Sequence, residues 1–227
     1  MAGNDSSAAQ SSVDATAAAI HLLAERGYDA TPVDELADAL EVSRSTFFRR
    51  FGTKEDIVFA DHTFLLDRLG DVMTSVRGDA FDAVNKACLT VLEYHLSRPE
   101  ATLERRELLR SNPSLREREL VMSHRYERVF RAHLSAHLAD EFAREWVASA
   151  YAASAVAVHN DSLRAWFENS GIDAPRRLQT DLSELAQSFR QSSGPGQRSR
   201  SRVVLTAYET DAPIETVMAK IRQAVEG

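Results

Sequence analysis

Between Ser43 and Lys54 the chain reads SRSTFFRRFGTK, a segment with four cations and no acidic residue. Arg44, Arg49, Arg50 and Lys54 can meet phosphate, and an arginine fork can also take the O6 and N7 edge of guanine. Ser43, Ser45 and Thr46 add short hydroxyls that reach bases or phosphates only when the backbone comes close. Such a set recognises; it contains no nucleophile–base pair that would break a bond. Four basic residues on a helix are as often a solvated face, so the charge alone decides little. The chain as a whole, however, carries a formal net charge of -7. A cationic helix confined to one place on an acidic chain points to nucleic-acid phosphate.

The elements that must position these residues are legible on both sides. Val33, Leu36, Ala37 and Leu40 recur at helical spacing and give one apolar face. The turn at Glu41-Val42 ends in Ser43, an N-cap for a second helix whose buried side carries Phe47 and Phe51. An earlier helix spans about Val13 to Arg26, capped by Ser11 with Asp14 as capping-box partner. Its stripe is Val13, Ala17, Ile20 and Ala24 with Leu23 at the edge, and Gly27 stops it. Thr31 restarts the chain as an N-cap with Pro32 at the first helical position. Gly52-Thr53 ends the cationic helix, and Thr53 caps the next one.

The Gly27 boundary, Thr31 and the run LADALEVSRSTFFRRFGTKEDI, with its spacing of Ala37, Val42, Ser43, Phe47, Phe51 and Lys54, carry a resemblance. From about Val13 to Ile57 the chain resembles the DNA-binding domain of the TetR family of transcriptional regulators. The resemblance implies that the cationic helix enters the major groove, offering Arg44, Ser45 and Thr46 to bases beside the capping Ser43. It also implies that Thr31 and Lys54 face the DNA backbone at helix starts. Phe48 stands where the family commonly has a tyrosine, so a hydroxyl contact to phosphate is lost. Arg50, at a position often held by histidine, or Arg49 beside it is the expected replacement.

Beyond this segment, the 227 residues are 44% hydrophobic, with few glycines (9) and prolines (6). Few breakers and abundant alanine predict an all-α chain. A long helix is expected from Lys54 to Val76, then helices over 80–97, 100–110, 114–139, 141–169 and 175–189. Residues 190–202, RQSSGPGQRSRSR, read as a flexible linker, and 203–227 as a small strand–helix appendix. The expected domains are a disordered arm over 1–11, the helix-turn-helix domain over 12–56, and a larger helical regulatory and dimerisation domain over 57–189. The single cysteine, Cys88, allows no intramolecular disulfide and fits a reducing cytoplasm. No apolar run is long enough to span a membrane. The start, MAGNDSSAAQSS, lacks the basic and apolar regions of a secretory signal.

For the larger domain the resemblance implies homodimerisation and an effector pocket. The alanine-rich helix over 141–169 and the stripe Leu178, Leu182, Leu185 and Phe189 are the expected dimer helices. Candidate ligand contacts are His62, Leu65, Tyr94, His95, Arg106, His124, Tyr126 and Trp146, for a hydrophobic or amphipathic small molecule. His133 and His137 stand four apart, but without a third ligand a surface pair is the better reading. No cofactor is expected, and no phosphate loop or recognisable catalytic pair suggests an enzyme. The leading expectation is a ligand-responsive repressor that binds a palindromic double-stranded DNA operator as a homodimer. The alternative is a constitutive DNA-binding protein or activator without an effector.

Overall fold

The computed structural model describes residues 2–139 and 145–192, and among these every regular element is a helix. In chain order they are α1 Ala2–Arg26, α2 Val33–Ala39, α3 Arg44–Phe51, α4 Lys54–Val58, α5 Ala60–Thr74, α6 Ala80–Leu96, α7 Pro99–Ser111, α8 Pro113–His137, α9 Glu145–Glu168 and α10 Ala174–Ser192. The all-α expectation holds for these residues. The appendix over 203–227 and most of the linker lie outside the described residues.

Local chemistry explains most of the boundaries. Gly27 ends α1 at φ +90°, a left-handed conformation that costs glycine little, and its N–H donates to Leu23 O at 3.0 Å. Thr53 and Asp56 close a reciprocal capping box on α4, and Asp79 with Asp82 does the same for α6. Arg190 on α10 then reaches both Asp79 and Asp82, at 2.7 Å and 2.8 Å, and ties the last helix to the start of α6.

Several expectations shift. Helix α1 begins at Ala2, so residues 2–11 of the expected arm are helical. Pro32, not Thr31, is the N-cap of α2. The predicted helix from Lys54 to Val76 is two helices, broken at Phe59 (φ −121°, ψ 14°). No glycine or proline marks that break; Phe59 is buried, and the packing around it decides. Helix α10 runs through Ser192, because Arg190 has carboxylate partners that a tether would not hold.

Two apolar cores result. In the first, Ile20 and Leu23 of α1, Leu36 of α2, Phe47 of α3 and Ile57 of α4 are fully buried. Leu108, Leu115 and Met122 complete it from α7 and α8, so the helix-turn-helix packs directly onto the body. In the second, Phe81, Leu92, Phe130, Leu134 and Tyr151 are buried among α5, α6, α8, α9 and α10. Ala148, Ala152 and Ala155 are the small buried face on which α9 approaches its neighbours closely.

Candidate nucleic-acid interface

The turn between α2 and α3 is built from Leu40, Glu41 and Val42. Glu41 takes φ +54°, and the N–H groups of Glu41 and Val42 donate back to Asp38 O and Ala37 O at 3.0 Å and 2.9 Å. Ser43 then caps α3, its Oγ accepting from Thr46 N at 3.2 Å. Phe47 and Phe51 point into the first core with ring centroids 5.4 Å apart. That anchoring turns Arg44, Ser45, Phe48, Arg49 and Arg50 outward, and all five are exposed.

The outward face is organised. Arg44 pairs with Asp34 of α2 at 2.5 Å and lies 5.4 Å from the Phe48 ring centroid. Both charges of that pair are mostly in water, with side chains 61% and 59% exposed. Ser43 and Ser45 share a hydrogen bond of 3.0 Å, and Ser43 donates to Thr46 at 2.9 Å. Arg49 makes a long contact of 3.4 Å to Thr46, while Arg50 lies over the Phe51 ring at 5.0 Å. Phe48 is 43% exposed, an apolar ring in the middle of a polar face.

Two residues expected to face phosphate have partners within the fold. Thr31 is fully buried, and its hydroxyl donates to Gly27 O at 2.8 Å, fastening the α1–α2 connection. Lys54 donates to the Tyr28 carbonyl and lies 4.3 Å above the Tyr28 ring, where burial lowers its pKa. Its position follows from being the first residue of α4, which brings it against the loop that Tyr28 begins.

Four of the residues expected to line a ligand pocket do meet: His62, Tyr94, His95 and Tyr126. Their partners Asp61, Arg105 and His159 lie outside that expected set. Arg105 donates to Asp61 at 2.5 Å and approaches His62 Nε2 at 3.2 Å. Tyr94 OH donates to Asp61 at 3.2 Å, and His62 Nδ1 lies 3.0 Å from Tyr126 OH. His95 packs against His62 at 5.2 Å, and His159 Nδ1 contacts Cys88 O at 3.1 Å. Burial works to raise the Asp61 carboxyl, but its neighbours, Arg105 foremost, together outweigh it and hold the pKa at about 2. His62 and His159 are pushed down to about 4 by burial, with cationic Arg105 adding to the shift at His62. These histidines are neutral inside the fold at pH 7.

A signal for Asp61 and Arg105 existed in the sequence. Asp61 occupies the buried face of Leu65, Leu69 and Met73 on α5, and Arg105 that of Thr102 and Leu108 on α7. A charge at a core position asks for a buried partner. The neighbouring cavity, bounded by Val13, Ile20, Tyr94 and His95, measures only about 10 Å³, room for about one water. The other candidates are apart. Leu65 is core, Arg106 donates to Phe167 O at 3.1 Å, His124 is exposed beside Glu127, and Trp146 is 51% exposed at the start of α9. Cys88 is buried and its thiol is pushed up to about 12, so it is no redox-active thiolate. His133 and His137 stack at 4.3 Å, and among the described residues no three or more His, Cys, Asp or Glu side chains are placed to hold a metal ion.

Comparison with known proteins identifies the domain that carries the first site. Residues 15–60 match the family described as bacterial regulatory proteins, tetR family. The chain carries a TetR-family helix-turn-helix DNA-binding domain. Among solved structures, a transcriptional regulator of Pseudomonas aeruginosa PAO1 is similar at 16% identity, over 81% of this chain and 90% of that one, with a TM-score of 0.56. At this identity the likeness is one of fold. The TetR-family regulator PfmR of Thermus thermophilus is 21% identical over 76% of this chain and 97% of its own, TM-score 0.47. NalD of Pseudomonas aeruginosa, a repressor of a multidrug efflux pump, is 15% identical over 80% and 96%, TM-score 0.48. No curated protein matches the chain in sequence. The family match over residues 15–60 makes the coarse function transcription regulation through a TetR-type DNA-binding domain, in which α3 is the second helix of the helix-turn-helix.

Proposed function

We propose that the chain is a repressor that binds a palindromic operator as a homodimer and lets go when a small amphipathic molecule binds its larger domain. The observation that carries the reading is the face of α3. Capped by Ser43 and anchored by Phe47 and Phe51, it holds Arg44, Ser45, Phe48, Arg49 and Arg50 outward as a preformed surface. Arg44 is the base reader, Ser43, Ser45 and Thr46 support it at the helix start, and Arg49 or Arg50 takes the phosphate contact that Phe48 lacks the hydroxyl to make. The first residues of a recognition helix contact base edges while flanking groups fix its position on the backbone.

A single recognition helix buries too little surface for selectivity, whereas two reading successive half-sites add their energies. The outward faces of α9 and α10 are the proposed dimer surface, cross-braced within each chain by Arg177–Asp161 at 2.8 Å. The DNA-binding unit spans 12–56 and the regulatory and dimerisation unit 57–189, and the work is done in the cytoplasm beside the DNA. No helix among the described residues is long and apolar enough to cross a membrane. A second reading, regulation without an effector, is favoured by the tightness of the buried histidine cluster.

Selection of bound duplexes from a random pool tests the proposal. It is expected to return an inverted repeat protected by two protomers. Recovery of no palindromic site, or protection by a single protomer, would overturn the dimeric reading.

A further inference from the structure

A groove of about 460 Å³ opens where α3, α4, α5 and α8 meet, within the size range of small-molecule sites. Its walls combine two chemistries. Phe51, Phe59, Phe64 and Met122 supply apolar surface. Arg50, Arg118 and Arg125 supply three guanidinium groups against the two carboxylates of Asp56 and Asp67.

The cations are not equally engaged. Arg118 pairs with Asp56 across the junction from α8 to α4, yet its Nε is buried without a partner. Arg125, half-buried one turn beyond Met122, donates only to the Met122 thioether at 3.7 Å among the described contacts. Arg118, Met122 and Arg125 fall at i, i+4 and i+7, so they share one face of α8. A half-buried guanidinium held by a sulfur atom, beside an aromatic wall, is complementary to an anionic head on an apolar body.

From this geometry we propose that the groove binds an amphipathic organic anion, the effector of the regulator, at the joint between the DNA-binding helices and the body. The inference rests on the effector-responsive reading above and gives that effector a place and a chemical class. The location supplies the coupling. Arg50 and Phe51 belong to the recognition helix, and Phe59 is the break between α4 and α5. An anion competing with Asp56 for Arg118 loosens the only ion pair described between α4 and α8. An apolar body in the groove then separates α3 from α8. Such a ligand prefers the arrangement in which α3 has moved, and a difference in affinity between two arrangements is what shifts their populations.

The test uses the full chain and decanoate as the probe, with decyltrimethylammonium of matched chain length as the cationic comparison. Calorimetry on the free protein is expected to show decanoate binding and no binding of the ammonium. Arg125→Met, which keeps an unbranched apolar stem and removes the charge, is expected to weaken decanoate about tenfold. Thr63→Trp, which fills the groove without removing a cation, is expected to abolish it. Circular dichroism of each variant confirms the fold. No decanoate binding, equal binding of the ammonium, or indifference to both substitutions would overturn the site. Release of the selected operator by decanoate is measured separately. Binding without release leaves the site standing and overturns the effector-responsive reading.

Discussion

Two of the protein's Arg–Asp pairs share a geometry and differ in consequence. Arg44 and Asp34 meet at 2.5 Å on the recognition face, with side chains 61% and 59% exposed. Arg105 and Asp61 meet at the same 2.5 Å inside the body, with side chains 9% and 5% exposed. In water the first pair is screened and contributes little, about 0–1 kcal/mol. Arg44 can therefore leave Asp34 for a guanine edge at small cost. The second pair has no solvent to fall back on, so removing one partner strands a charge in an apolar interior. Identical geometry gives an exchangeable contact in one place and a fixed one in the other, and burial makes the difference.

The largest effect should come from breaking the buried pair. Asp61→Asn leaves Arg105 facing a neutral amide and is expected to destabilise the fold by about 3–5 kcal/mol, measured by urea denaturation. A loss below about 1 kcal/mol would mean that the two pairs are not different in kind. The second test is pH. His62 and His159, with native pKa values of about 4 against about 6.5 when unfolded, bind protons more readily in the unfolded chain. Stability should thus be complete above pH ~6.5 and fall as pH drops toward 4, by about 1.4 kcal/mol per pH unit for each such histidine. Asp61 does not confuse this window, because its own contribution is lost only below about 3.8. His159→Gln is expected to flatten the slope between pH 6.5 and 4, read from denaturation midpoints.

On the recognition face the stakes move from folding to binding. Arg44→Ala is expected to leave stability within about 0.5 kcal/mol and to cost about 1–3 kcal/mol of binding to the selected duplex, with relaxed preference at one base pair. Glu41 at φ +54° in the turn is strained, so Glu41→Gly should raise stability by up to about 1 kcal/mol. Asp34→Asn should be the mildest, changing stability by no more than about 0.5 kcal/mol while tightening DNA binding at low salt, as fluorescence anisotropy would show.

The two regions were unequally legible. The recognition unit could be read from neighbouring residues: Ser43 capping Thr46, Phe47 and Phe51 on one face, and the Thr53–Asp56 box are all local. What could not be read there was Thr31 and Lys54, whose side chains turn inward to Gly27 and Tyr28 through tertiary closeness. In the body, Tyr94, His95, His62 and Tyr126 stand out as polar or aromatic residues on helices. Their convergence depends on α5, α6, α7 and α8 crossing at one depth. The partners Asp61 and Arg105 are 44 residues apart in sequence, and no periodicity links them.

The sequence by itself determined an all-α chain, the helix starts and stops around the turn at Glu41, and a cationic helix matched to DNA. Those properties depend on propensity, capping and spacing within a few residues. The tertiary structure alone decided the break at Phe59, the burial that separates Arg105–Asp61 from Arg44–Asp34, and the groove between the recognition helix and α8. Each depends on which distant side chains share a volume and exclude water from it, and that is fixed only when the helices pack.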